Sequence, residues 1–410
     1  MLLSRIFFYF VITILIYSET VNSCTTAILS GKSTPDGRPL LYKHRDSDSL
    51  ENKLRYFTDG KYDYIGLINS KDSLGKEVWA GCNSTGFAIM NSASYNLNIA
   101  DTAKLKDRDG FLIKQALQTC ATISDFENLL ASLQYPSGIE SNFGVIDAKG
   151  GAAYFETGNK SFVKYDVNDP LVAPFGYLIR TNYSFSRDIN EGAGYIRYET
   201  AQRLFYNALA MNNLTVPFLY NDVSRSLKHS LTEIDLWDFC PPSSKGQYFV
   251  SFRDFIVRDY STAVAVIQGV MPGEDPQFTT FWCSLGLPYA SVALPVWIKG
   301  GKFLPSVLTA DGSKNSPLSR MTLELRDDCF PIKRGNGLYY LNLAAVINTE
   351  NSGMLQKLRP LELKIFKETE QKLVSWRPKG MNPDNIQEYY RWLDQLVRSE
   401  YERIFGLQEK

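Results

Sequence analysis

Cys24 stands where a thiol and a free α-amine would share one residue. It follows the stretch SETVNS and opens the strand-like run CTTAILSG. Upstream lie Arg5 and an apolar run over residues 6–17, and Val21 and Ser23 flank the expected cut. That pattern reads as a secretory signal segment over residues 1–23, removed before Cys24. A thiol of pKa ~8.5 beside an amine of pKa ~8 exchanges a proton at neutral pH, so the new terminus is a nucleophile that carries its own base.

The apolar run is too short to span a bilayer, which takes about 20 apolar residues, and no later stretch supplies them. The expectation is an exported protein, secreted or periplasmic, with no membrane span. A competing use of the same sulfur is lipidation, as in bacterial lipoproteins. It would block the nucleophile and leave a lipid-anchored, non-catalytic binding protein, although Val21 and Asn22 fit the usual lipoprotein pattern poorly.

Attack on an amide carbonyl needs a charge partner for the amine and thiol, and donors for the oxyanion. In LLYKHRDSD, Asp46 and the cations Lys43 and Arg45 fall at the end of the strand expected to pair with the one opened by Cys24. A carboxylate there can hold and orient the α-ammonium. The chain has only two histidines, His44 and His229, which argues against zinc sites and against triads built on imidazole. His229 reads as a structural residue on a helix. His44, between Lys43 and Arg45, suits either a neutral base or a core role. The six cysteines show no metal or redox spacing; one or two disulfides are open to them, but most read as buried thiols. No metal and no cofactor is expected.

Composition sets the wider frame. Forty-four basic residues balance forty-four acidic ones, so nothing electrostatic points to nucleic acid or an anionic membrane as partner. Strands are expected over 25–30, the LLYKHRD run, 63–68, 76–82, 86–92, 141–147, 151–157 and 162–166. Helices are expected over 111–122, from a Ser124–Glu127 capping box to residue 133, and from about residue 193. A second strand series follows in YFVSFRDFIV, TAVAVIQG, FTTFWCSLG and YASVALPVW. Residues 300–317 read as a surface loop, and a last helix opens at Asn382–Pro383 and stops at Gly406. The order implies an α+β domain of packed antiparallel sheets with helical outer layers, over residues 24–410, with a helical C-terminal extension over about 355–410.

The N-terminal CTT, the strand closing in a basic residue and Asp, GFAIMNSAS, IDAKGGAAYFE, the TN pair of LIRTNYSF and the arginine of GYIRYETAQRLF occur in that order. Together they resemble the choloylglycine hydrolase, penicillin V acylase and isopenicillin N acyltransferase group of N-terminal nucleophile (Ntn) hydrolases. The likeness covers roughly residues 24–300. It implies a four-layer αββα sandwich and a hydrolase or acyltransferase acting on linear amides through an acyl-cysteine, with a small acyl-amide as substrate.

The resemblance makes Cys24 the nucleophile and Asp46 the contact of its amine. It makes Asn182 the side-chain donor of the oxyanion hole, a backbone N–H near Ser92 to Ser94 the second donor, and Arg197 the support of the nucleophile, with Arg203 as substitute. The group has arginine three residues before the aspartate; here Lys43 holds that place and Arg45 lies beside it, so the cationic role is open between them. Asn142 is a further amide that reads as a turn or cap. Alone, Asp46 would be an ordinary salt-bridge residue, Asn182 a turn residue and Arg197 a solvated cation. Phe57, Tyr62, Tyr64 and Tyr95 line an acyl pocket or belong to the core. A cysteine-first dipeptidase would share the chemistry with a different substrate.

Overall fold

The computed structural model describes residues 23–99, 101–103, 105–242 and 246–407; apart from Ser23, the expected signal segment lies outside the described residues. Two antiparallel sheets organise the chain. Strands β1 (Thr25–Leu29) and β2 (Leu40–Asp46) form the hairpin that Cys24 opens. The next seven strands, β3 (Asn52–Phe57), β4 (Tyr64–Asn69), β5 (Ala80–Asn83), β6 (Ala88–Ala93), β7 (Ser141–Ile146), β8 (Ala152–Thr157) and β9 (Phe162–Asp166), make a seven-stranded sheet in sequence order. The chain then returns to β1 through β10 (Tyr177–Arg180). It completes a six-stranded sheet with β11 (Ser261–Gln268), β12 (Thr280–Leu285) and β13 (Leu294–Val296), in the order β10-β1-β2-β11-β12-β13.

The sheets stack face to face. Gly144 in β7 lies where they come closest: a Cβ there would fall 2.8 Å from Ile28 Cδ1 of β1, so only glycine fits. β11 reads STAVAVIQ and is buried along nearly its whole length, as a central strand covered on both faces requires. Outside the seven-stranded sheet, α1 (Asp109–Thr119) and α2 (Ile123–Ala131) bury Leu112, Ile113, Leu117, Phe126 and Leu130 against Ile89, Phe143 and Phe155. The Phe126 ring meets Phe155 edge-on at 5.2 Å.

Outside the six-stranded sheet lie α3 (Tyr195–Ala210), α4 (Pro317–Cys329), α5 (Met354–Trp376) and α6 (Pro383–Phe405). Phe205 of α3 packs on Tyr177, Phe366 of α5 on Trp282 and Trp376 of α5 on Trp297. The result is the expected α+β arrangement of two antiparallel sheets between helical layers. Among the described residues no helix is long and apolar enough to cross a membrane.

Several local expectations change. The α2 capping box is Thr122 with Asp125, two residues before the Ser124–Glu127 pair, because Asp125 reaches back to the Thr122 N–H at 2.9 Å. His229 sits in a two-residue strand (Lys228–His229), with its ring against Phe255, and not on a helix. YFVSFRDFIV gives only Phe249–Ser251 as strand. Residues 300–317 are not simply surface: Val307 and Leu308 are fully buried, and Asp394 of α6 accepts the Ser306 and Val307 N–H groups. All six cysteines are free. Phe57 and Tyr64 stack at 4.6 Å in the core under α1, so they belong to packing and not to a pocket.

Candidate functional site around Cys24

Strand alternation divides the site into two faces. In the β1–β2 register Thr25 faces His44 and Thr26 faces Lys43, which carries on to Cys24 beside Arg45 and Ser23 beside Asp46. Cys24, Lys43 and Arg45 therefore share the face turned toward the seven-stranded sheet. Thr25, His44 and Asp46 share the face turned toward α3. Cys24 is almost fully buried, with Sγ 4.0 Å from the Asp46 carbonyl oxygen.

On the first face, Lys43 Nζ donates to Asn91 Oδ1 at 2.6 Å and to the Trp79 carbonyl at 3.0 Å. Burial pulls its pKa down to about 8, against the Cys24 thiolate, which favours the cation. Arg45 is fixed by Asn52, Ser47, Asn69 and Thr262, and stacks over Trp79 at 5.1 Å. Burial lowers its pKa to about 10, and the Cys24 thiolate again opposes the shift. Both cations thus act on the sulfur, but Arg45 spends its fork on neighbours while Lys43 retains a point charge.

On the second face, Asp46 Oδ1 accepts from Ser261 Oγ at 2.6 Å, and His44 Nε2 lies 2.8 Å from the same hydroxyl. A register shift at Ser261–Ala263 in β11 creates this contact, since the extra residue sets Ser261 opposite Asp46 while Thr262 reaches Arg45. Asp46 Oδ2 is buried and has no hydrogen-bond donor among the described residues; the Arg258 guanidinium stands 3.9 Å away. His44 is held between Ser261 and Asp46, away from the face that carries Cys24.

Arg197 joins the parts. Fully buried on α3, it donates through Nη1 to the Cys24 carbonyl at 2.7 Å and to Thr25 Oγ1 at 3.0 Å. Through Nη2 it donates to Ser23 Oγ at 3.1 Å and to Asn182 Oδ1 at 2.7 Å. Burial lowers its pKa to about 10. Asn182 follows β10, and its backbone is fixed by paired bonds with Ala193 and by the Tyr95 N–H, while its Nδ2 donates to the Ala93 carbonyl at 2.9 Å. Arg203, six residues after Arg197 on α3, instead faces solvent and pairs with Glu233.

The remaining residues named from the sequence fall nearby. Ser92 and Ser94 flank the carbonyl that Asn182 contacts. The Ser94 N–H goes to the Glu140 carbonyl, and the Ser94 hydroxyl to Asn96 and Ser184. Asn142 is inside β7 and not at a turn: its amide ties Ser92, Tyr183 and Ser184 together. Reading the sequence missed Ser261, Arg258 and Asn91. Only the polar cluster RDYST ahead of the apolar β11 hinted at the first two. Among the described residues no group of three or more His, Cys, Asp or Glu is placed to hold a metal ion.

A cavity of about 570 Å³ opens beside α3. Its wall includes Ile196, adjacent to Arg197, and Asp254, which pairs with Arg258 at 3.5 Å; the rest is largely apolar, with Leu231, Phe239, Val250 and Phe255.

No family model and no curated protein matches the chain. Solved structures do. A Caenorhabditis elegans N-acylethanolamine-hydrolyzing acid amidase ortholog is 18% identical, with 49% of this chain and 89% of that one covered at a TM-score of 0.35. A conjugated bile acid hydrolase variant from Clostridium perfringens is 11% identical, with 67% and 92% covered at 0.37. Penicillin V acylase from Agrobacterium tumefaciens is 10% identical, with 67% and 86% covered at 0.35. These proteins fall in the group that the order of motifs resembles. At such identities and scores the likeness carries no weight for activity, which rests on the geometry around Cys24.

Proposed function

We propose that the mature protein is an exported Ntn hydrolase that cleaves linear amides, using Cys24 as nucleophile and its α-amine as base. The observation that carries this reading is the pairing of two features at one strand end. Arg197 binds the Cys24 carbonyl and the Asn182 amide together, and Asp46 keeps one buried carboxylate oxygen without a donor beside the same terminus. A buried acceptor without a donor is disfavoured by roughly 1–3 kcal/mol, and an α-ammonium released by the cut after Ser23 supplies that donor.

The α-amine takes the thiol proton and the sulfur attacks the amide carbon, so an S–C bond forms as the carbonyl pair moves onto oxygen. The Asn182 amide, aligned by Arg197, donates to that oxyanion, and Lys43 and Arg45 favour the thiolate. Collapse breaks the C–N bond, and the α-ammonium returns its proton to the leaving amine. Water, deprotonated by the α-amine, then attacks the acyl-cysteine, breaks the C–S bond and releases the acid. An amine in place of that water gives acyl transfer from the same intermediate.

Intact mass measurement of the secreted protein, paired with product analysis on a panel of N-acyl amides and dipeptides, tests this. The reading expects a chain beginning at unmodified Cys24 that releases acid and amine from N-acyl amides. A diacylglyceryl adduct on Cys24, a terminus elsewhere, or activity confined to dipeptides overturns it.

A further inference from the structure

A second cavity, of about 640 Å³, shares no lining residue with the Cys24 site. It lies at the free edge of β3, the outermost strand of the seven-stranded sheet. Six cations line it from four segments: Lys53 and Arg55 of β3, Lys302 and Lys314 of the loop before α4, Arg320 of α4 and Arg398 of α6. Asp311 is the one carboxylate among the lining residues. Over the whole chain positive and negative residues are equal in number, so this concentration of one sign is local.

Four of the six cations have no carboxylate partner among the described residues. Among the described residues no carboxylate lies within ion-pair distance of Lys53, Arg55, Lys302 or Lys314. Lys53 is buried, and its ammonium meets only the carbonyl oxygens of Gly312 and Lys314. Burial and the neighbouring Arg55 both disfavour its charged form. Arg55 is turned over the Phe57 ring and donates to the Ser73 carbonyl. Like charges drawn together from separate elements oppose folding unless something of opposite sign enters between them. The volume lies within the range of small-ligand sites, and guanidinium forks among ammonium groups suit tetrahedral oxyanions.

We infer that this cavity binds a small soluble polyanion carrying two or more phosphate- or sulfate-type groups, at a site separate from Cys24. A single carboxylate would answer one or two of the four cations without such a partner; a polyanion spans β3 and the 300–317 loop that supply them. Bound ligand would tie the edge strand to the 300–317 loop.

The test is calorimetric titration of the mature protein with tripolyphosphate. One saturable site is expected, at least tenfold weaker when sodium chloride is raised from 50 to 200 mM. Lys302→Glu with Lys314→Glu, both exposed positions, is expected to weaken binding at least tenfold while the thermal midpoint stays within a few degrees. Lys367→Glu, an exposed reversal on α5, leaves binding unchanged, and Cys24→Ala binds as the parent does, which separates this inference from the amidase reading. Absence of saturable heat, salt-insensitive binding, or an equal loss with Lys367→Glu overturns the assignment. If the double variant fails to fold, the salt dependence and the Lys367 control in the parent background still decide it.

Discussion

Arg197 Nη2 donates to Asn182 Oδ1 at 2.7 Å, while Nη1 of the same guanidinium donates to the Cys24 carbonyl at 2.7 Å. The oxyanion donor and the nucleophile are thus set relative to each other by one rigid fork. Removing an oxyanion donor lowers kcat by about 100-fold or more. Asn182→Ala and Arg197→Met are each expected to lose about that factor on an N-acyl amide. Because both act through one geometry, the double variant should lose far less than the product of the two. Multiplicative losses, measured as kcat in a double-mutant cycle, would show the two residues to be independent.

Gly194 begins α3 with φ of +90°, and a Cβ there would strike the Arg197 guanidinium and lie 3.0 Å from Thr181 Cβ. Gly194→Ala therefore strains the backbone and displaces the fork without touching Cys24. The expected result is a fall in kcat of at least tenfold with thiol alkylation of Cys24 retained. An unchanged kcat would mean that Arg197 has another stable position.

The structure makes clear which parts of the site the sequence could reveal. Cys24, Asp46, Asn182 and Arg197, which the order of motifs singles out, lie at strand ends and a helix start and meet in one hydrogen-bonded cluster; their catalytic roles belong to the proposal above. Ser261 was not legible. Its contact with Asp46 depends on one extra residue in β11, and a register shift leaves no mark on hydrophobic alternation. The hairpin β1–β2 and the alternating strands β6 to β9 were readable from period and turns. β3 and β10 were not, since NKLRYF and YLIR are short and carry charged residues that only the tertiary setting explains. Arg45 shows the same limit: the sequence leaves the cationic role open between it and Lys43, and only the fold shows its fork spent on Asn52, Asn69, Ser47 and Thr262.

A buried ion pair ties α5 to the segment between α3 and β11 and to the connection between β12 and β13. Glu362 of α5 accepts from both Arg225 Nη groups and from the Ala293 N–H, and Arg225 also donates to the Pro288 and Ser291 carbonyls. Glu362→Leu strands a buried guanidinium, and unfolding stability is expected to fall by roughly 3–5 kcal/mol. Pairing it with Arg225→Leu should recover part of the loss. Denaturant titration of the three variants checks this, and a Glu362→Leu protein as stable as the parent would contradict the pairing.

Lys43 gives the site a pH signature with a definite sign. Its pKa in the folded protein, about 8, lies below its ordinary 10.5, because burial disfavours the ammonium. Between those values the unfolded chain binds more protons than the folded one, so this residue makes stability rise with pH; below about 8 its full penalty is present. Over that window the gain is on the order of 3 kcal/mol, from about 1.4 kcal/mol for each pKa unit. Lys43→Met removes the titration, so the stability of the parent relative to the variant should climb from pH 8 to 10.5 and stay level from pH 6 to 7. A difference between parent and variant that stays level from pH 8 to 10.5 would show that burial leaves Lys43 with its ordinary pKa.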